Sequence, residues 1–307
     1  MHEGLLIKAY GGFYYVRAEG RTWELRARGR LRRPAPRPGG SRAGSSRHLQ
    51  AGALVVGDRV LFTPMENGSG TLESVLPRDN IMLRPRVANV DQVLLVVPLA
   101  QPEPDLKLMG RILVCCHAAH IQALICFNKL DLVSLEDADK LLSVYGEAGY
   151  QAFAASALRG DGLERLRQVL AGRISVLAGP SGAGKSTIIN ALDPSLTQET
   201  GEISRKLKRG RHTTTNVELL PVADGFIADT PGFSNLELPQ LDRADLAGYF
   251  PEIREFSGEC RFLNCLHHNE PDCAVKLALD KGLIAVSRYQ NYLAFLAEVL
   301  IKERTYS

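Results

Sequence analysis

The 307 residues carry 37 Lys+Arg against 34 Asp+Glu, with 45% apolar and 7% aromatic side chains. That composition excludes a collagenous or wholly unfolded chain, and the length leaves room for about two domains with cores of their own. No apolar run reaches the ~18–20 residues of a bilayer span, and MHEGLLIKAYGG lacks the basic start and long apolar stretch of a secretory leader, so a cytoplasmic, membrane-free protein is expected.

The net charge of +3 is uneven: residues 1–50 hold 11 Lys+Arg and 3 Asp+Glu, a net +8, and the rest of the chain is net −5. A basic unit on a mildly acidic body suits a polyanion partner, and a solvated basic arm fits the same numbers. Within residues 1–85, GGFYYVRAEG and TWELRARGR predict strands separated by Glu19-Gly20. ALVVGDRVLFTP predicts a strand pair turning at Gly57-Asp58, and GSGTLESVLP a fourth or fifth strand. Residues 33–52 are rich in Pro, Gly, Ser and Arg without a hydrophobic period, the composition of a flexible loop. Short strands with basic loops point to a Greek-key barrel of the OB type, an oligonucleotide-binding architecture.

From residue 88 the pattern changes. DQVLLVVP, QALICFNK, YQAFAAS, RISVLAG, NVELLPV and GFIADTPG predict strands, and LEDADKLLSVYGEAG and GLERLRQVLAG between them have helical spacing. This alternation predicts a doubly wound α/β sheet over residues 86–238. Cys115, Cys116 and Cys126 lie in apolar surroundings and read as small core residues. Residues 239–307 read as helices around a Cys/His cluster, a third small unit.

The motifs lie on this frame in an informative order. Asn128-Lys129-Leu130-Asp131 follows a strand. A carboxylate at Asp131 can accept from both N1–H and the 2-amino group of guanine, donors that adenine lacks. Asn128 can reach the base and brace the phosphate loop, and the Lys129 stem can cover the ring. Ser156-Ala157-Leu158 fits a backbone loop over the guanine O6. Gly179-Pro180-Ser181-Gly182-Ala183-Gly184-Lys185-Ser186 fits G-x-x-x-x-G-K-S between a strand and a helical run. There, backbone N–H groups and the helix N-terminus cradle phosphates, Lys185 meets the β/γ-phosphates and the Ser186 hydroxyl ligands Mg²⁺.

Residues 202–217, EISRKLKRGRHTTTNV, occupy the place of a switch segment. One of Thr213, Thr214 and Thr215 should ligand Mg²⁺, with Thr214 and Thr215 favoured and not separated by the sequence. The run Arg205, Lys206, Lys208, Arg209, Arg211 reads as an RNA-phosphate contact or as a solvated loop. Asp229-Thr230-Pro231-Gly232 ends a strand, so Asp229 can hold the Mg²⁺ water shell and the Gly232 N–H can meet the γ-phosphate. Phe233 stands where many GTPases carry a water-orienting Gln, which leaves His212 as the internal candidate for that task or as an ordinary surface histidine.

Ordinary G domains place the phosphate-reading motifs first. Here the base-reading pair comes first, the order expected of a circularly permuted GTPase. A consequence is that the segment after D-x-x-G leads directly into residues 235–307. In that part Cys260-x4-Cys265-x-His267-x5-Cys273 offers three thiolates and an imidazole, suited to one closed structural Zn²⁺ site, with His268 as an alternative ligand.

In the order N-K-x-D, S-A, GPSGAGKST, RGRHTTT, DTPGF and C-x4-C-x-H-x5-C, with VVGDRV and ANVDQVLLVV before them, the chain resembles the ribosome small-subunit-dependent GTPase A family (RsgA, also YjeQ/YloQ) over nearly its whole length. The resemblance implies an OB barrel, a circularly permuted P-loop GTPase domain and a helical zinc-binding domain. It implies GTP hydrolysis to GDP with Mg²⁺, stimulated by the small ribosomal subunit and its rRNA during late subunit maturation, by a monomer in the cytoplasm. It implies that Thr187 of GPSGAGKST belongs to the nucleotide site, that Cys260, Cys265, His267 and Cys273 hold zinc, and that His212 is a candidate for catalysis. Three features depart from the pattern: Glu24 in place of an expected Cys, a longer loop at 33–52, and LMGRILVCC at the start of its helix. Phe233 keeps a second function open, an RNA-binding scaffold that uses guanine nucleotide as a switch with little turnover.

Overall fold

The computed structural model describes residues 1–28, 53–66, 68–83, 85–196, 217–229 and 236–306. The expected loop at 33–52 lies outside them. The chain divides into two compact units: Met1–Asp91 with Leu170–Val176 and Lys208–Thr230, and Gln92–Val169 with Leu177–Leu207 and Pro231–Ser307.

Strands β1 (His2–Tyr10), β2 (Phe13–Ala18), β3 (Arg21–Ala27), β4 (Arg59–Pro64) and β5 (Ser69–Val75) come first, followed by a hairpin, β6 (Ile81–Leu83) and β7 (Arg86–Ala88). The α/β part runs β8 (Gln92–Pro98), α1 (Leu106–Ala118), β9 (Gln122–Asn128), α2 (Leu135–Glu147), β10 (Gln151–Ala154), α3 (Leu163–Leu170), β11 (Ile174–Ala178), α4 (Lys185–Leu192), β12 (Glu218–Val222) and β13 (Gly225–Asp229). Helices α5 (Pro251–Ser257), α6 (Ala274–Asp280) and α7 (Val286–Tyr306) complete it. All six strands expected between residues 88 and 230 are present.

In the first unit β1 pairs antiparallel with β2 and β2 with β3; β3 runs parallel to β5, β5 antiparallel to β4, and β4 returns to β1 in the register His2↔Phe62 to Leu5↔Arg59. The five strands therefore close into an OB-like barrel, which covers their edges except along the far half of β1. Alternation along β3 turns Trp23, Leu25 and Ala27 inward, to join Leu6, Val16, Val60, Phe62 and Leu72 in the barrel core. Two details differ from expectation. β1 is an additional strand, and ALVVGDRVLFTP supplies one strand rather than two. Asp58 is fully buried; it accepts from the Val55 N–H at 2.8 Å and pairs with Arg78 at 2.6 and 2.9 Å, which holds residues 55–58 in a turn. In the same unit β12 pairs antiparallel with β13, and β13 parallel with the start of β11.

In the second unit β8, β9 and β10 form a parallel ladder. All seven residues of β8 are buried, as expected of a parallel strand covered on both faces. The helices start on side-chain caps: Asp105 accepts from Leu108 N–H at 2.8 Å at α1, and Ser134 from Asp137 N–H at 3.1 Å at α2. Among the described residues no helix is long and apolar enough to cross a membrane.

Candidate functional site

The carboxyl ends of the parallel strands carry the predicted loops. Asn128 closes β9 and is 1% exposed. Its Nδ2 donates to the Ala183 carbonyl at 2.9 Å, and its Oδ1 accepts from the Ala157 N–H at 3.2 Å. One buried amide thus joins the 156–158 loop to the loop at 179–184. Asp131 lies on a 3₁₀ turn, Leu130–Leu132, and accepts from Ser156 Oγ at 2.5 Å. Ser156 Oγ also accepts from the Arg159 N–H at 3.1 Å, so this loop is held from both sides while Leu158 stays exposed. Lys129 adopts a left-handed conformation (φ 67°), and its ammonium donates to the Gln101 carbonyl.

The glycine loop is shaped by close approach. A Cβ at Gly179, where φ is +132°, would stand 2.1 Å from the Val96 carbonyl oxygen; one at Gly184, φ +91°, would stand 2.3 Å from Asn128 Nδ2. Only glycine fits either place. Lys185 opens α4, and its ammonium donates to the carbonyls of Gly179 and Pro180 at 2.8 and 2.7 Å. Burial lowers its pKa to about 8. Ser181 and Gly182 are exposed at the tip, Ala183 is buried, and Ser186 and Thr187 lie half-buried in the first turn of α4. The helix N-terminus and a lysine wrapped by its own loop are the parts of a phosphate cradle.

Asp229 is the last residue of β13 and pairs with Glu218 of β12, at the carboxyl end of a strand running parallel to β11. His212, Thr213, Thr214, Thr215, Gly232, Phe233 and the basic run at 205–211 lie outside the described residues.

The second cluster stands within the C-terminal helices. Cys260 Sγ is 3.8 Å from Cys273 Sγ and 3.4 Å from His267 Nδ1, Cys273 Sγ is 3.5 Å from the same nitrogen, and all four donor atoms, Cys265 Sγ included, lie within 4.8 Å of one another. Tetrahedral zinc with sulfur at about 2.3 Å and nitrogen at about 2.0 Å separates its ligands by about 3.5–3.8 Å, so the donor set fits such an ion. His267 takes the fourth place; His268 is exposed and turns its N–H to Glu270. Burial holds the His267 imidazole below its usual pKa, which favours the neutral ligand form, and pushes the Cys265 thiol up to about 12.

Supporting groups at this cluster have no motif of their own. Glu270 accepts from Leu266 and His268 N–H at 3.0 and 2.9 Å, and although burial raises its carboxyl pKa, those N–H groups outweigh it and hold it low. Tyr289 and Tyr292 of α7 donate to the carbonyls of His267 and Leu266 at 2.6 and 2.8 Å. The spacing of the two tyrosines, three apart on one helix face, is the signal that marks them. The strap 99–104 beside Lys129 is likewise absent from the sequence expectations; the prolines after β8, Pro102 and Pro104, mark only a break in regular structure.

Comparison with known proteins agrees with this geometry. The RsgA GTPase family pattern matches residues 75–239, and the RsgA N-terminal domain matches residues 3–39. A small ribosomal subunit biogenesis GTPase RsgA of Moorella thermoacetica is 46% identical over 306 residues, covering 99% of this chain and 100% of the relative. The protein of the same name from Carboxydothermus hydrogenoformans is 44% identical, covering 99% of each. Among solved structures, YjeQ from Thermotoga maritima superposes with a TM-score of 0.78 at 35% identity, covering 97% of this chain and 98% of that one. YloQ, described as a circularly permuted GTPase, gives 0.75 at 33% identity, covering 98% and 96%. A P-loop GTPase domain, an OB-like barrel and a Cys3His cluster able to hold a metal ion are thus joined in one chain, which belongs to the RsgA family of circularly permuted P-loop GTPases.

Proposed function

We propose that this chain hydrolyses GTP on an immature small ribosomal subunit, in late maturation, and leaves after hydrolysis. The observation that carries the reading is Asn128, whose one buried amide ties the base-side loop to the phosphate-side loop, as a site that must read both ends of a nucleotide requires. The names of the Moorella and Carboxydothermus relatives support the subunit as partner.

In this reading Asp131 selects guanine, the Lys129 stem covers the ring and the Ser156-Ala157 loop faces O6. The backbone of Gly179–Gly184 and the ammonium of Lys185 hold the phosphates, with Thr187 completing the first turn. Ser186, with Thr214 or Thr215, holds Mg²⁺; Asp229 orders its water shell, and the Gly232 N–H meets the γ-phosphate. Mg²⁺ bound there would neutralise phosphate charge in the transition state. His212 orients the attacking water. Cys260, Cys265, His267 and Cys273 hold one Zn²⁺ with no open position, so that site is structural. The barrel, residues 1–85, meets rRNA; 86–238 is the G domain and 239–307 the zinc-binding unit of a cytoplasmic monomer.

The test is phosphate release with and without small subunits over a salt series. Strong stimulation that falls steeply as salt rises is expected, because phosphate contacts release counterions. Phe233, in place of a water-orienting Gln, favours one competing reading, a scaffold switched by bound nucleotide. Tight GTP binding without stimulated turnover would establish that reading instead.

A further inference from the structure

Residues 99–104, LAQPEP, join β8 to α1 and carry none of the expected motifs. The strap they form touches the nucleotide-type site at three places. At its start the Leu99 N–H donates to the Asn128 carbonyl at 2.9 Å. At its crest the Gln101 carbonyl accepts from the Lys129 ammonium. Next to that, Pro102 lies against the phosphate loop, its Cδ 3.4 Å from where a Cβ on Gly182 would stand. Gln101 and Pro102 are both exposed, so this arrangement is not a by-product of core packing.

Gln101 holds φ at +47°, a region that a non-glycine residue enters at a cost. That backbone geometry belongs to the crest carrying the carbonyl used by Lys129. The ammonium end of Lys129 is fixed by the strap, and its backbone end by the left-handed turn after Asn128. Its aliphatic stem is therefore held at both ends. A stem tethered in this way covers a base without the entropy loss of ordering a free lysine.

We infer that the Gln101-Pro102 strap is a positioning element that pins Lys129 over the bound guanine and bears on the Gly182 turn, so that it sets how long the nucleotide stays. The inference rests on the nucleotide reading of the site given above. The strap acts through Lys129 and the phosphate loop and takes no part in the chemical step.

The experiment is stopped-flow release of a fluorescent GDP from the full chain, in the wild type, Gln101→Pro, Pro102→Gly, Lys129→Met and the double variant Gln101→Pro/Lys129→Met. Proline cannot adopt φ +47°, so Gln101→Pro displaces the carbonyl. Release is expected to speed up about tenfold in Gln101→Pro, the worth of a hydrogen bond to a charged group, and severalfold in Pro102→Gly. In the Lys129→Met background, Gln101→Pro should change release less than twofold, because the group it acts through is gone. The melting midpoint of the nucleotide-free protein should not move, which separates positioning from loss of fold. Release unchanged in both strap variants, or an equal acceleration with Lys129→Met present, would overturn the inference. Should Gln101→Pro not fold, Pro102→Gly decides alone: a severalfold faster release supports the inference, and an unchanged release overturns it. A wild type that binds no GDP would instead refute the nucleotide reading itself.

Discussion

If Lys185 meets the phosphates, as proposed, its charge reports on binding. Its ammonium is turned onto two loop carbonyls, and burial lowers its pKa to about 8, so it is cationic below that pH and neutral above it. Phosphate oxygens favour the ammonium, so the complex keeps the proton to higher pH. Binding then takes up a proton above about pH 8, and GDP affinity should fall by up to about tenfold per pH unit from there toward the ordinary lysine range. Dissociation constants measured from pH 7 to 10 test this; a flat profile would contradict it, and Lys185→Arg should flatten the profile. At the base end, Asp131→Asn exchanges an acceptor pair for one acceptor and one donor. It should weaken GTP and favour xanthosine triphosphate, a reversal read by nucleotide competition. These residues were legible in the sequence because their chemistry admits few side chains: a lysine, a carboxylate, glycines where no Cβ fits. The strap at 99–104 was not, because its contribution at Gln101 is a main-chain carbonyl that any residue supplies.

Whole elements were legible where periodicity matched burial. β8 announces itself with seven consecutive apolar or buried positions, and α2 with its Ser134 cap and amphipathic run. β1 was hidden because Leu6 is its only fully buried residue, so no inside-outside alternation marks it. The turn at Gly57-Asp58 is where the sequence puts it, but ALVV before it forms no strand, because residues 55–58 are held by Asp58 and by Arg78 twenty residues later. The helical end of the chain carries a buried ion pair. Arg288 of α7 donates to Glu252 of α5 at 2.6 Å, with the rings of Tyr145, Tyr150 and Phe250 around the guanidinium. Both side chains are almost wholly buried, and Glu252 Oε2 and Arg288 Nη1 and Nη2 find no hydrogen-bond partner. Glu252→Gln or Arg288→Met alone should cost about 3–5 kcal/mol, since each strands a charge or a polar partner. Glu252→Leu with Arg288→Met should cost less than either single change, because it removes the unpartnered atoms as well. Urea unfolding of the three variants checks the order. At the metal cluster, Cys273→Ala should lower the thermal midpoint of the metal-loaded protein and leave a chelator with no further effect on it.

For the whole molecule, the order of motifs was legible in the sequence. The first unit gathers pieces from three separate stretches of the chain, a grouping that no local pattern encodes. β1 is the reason that β12 belongs with the barrel: Lys8 pairs with Glu218, backbone to backbone and through a 2.8 Å ion pair. A fragment that begins at residue 86 would therefore leave β12 with a bare edge. It should self-associate in light scattering more than the full chain. The same pairing has a consequence in time. During synthesis the barrel has all its strands once Val75 has emerged, but the far half of β1 must wait about 140 residues more for Glu218. At 5–20 residues per second that is roughly 7–30 s during which the far half of β1, paired with β2 on one side, leaves its other edge open. A slowed translation rate would lengthen that exposure in direct proportion.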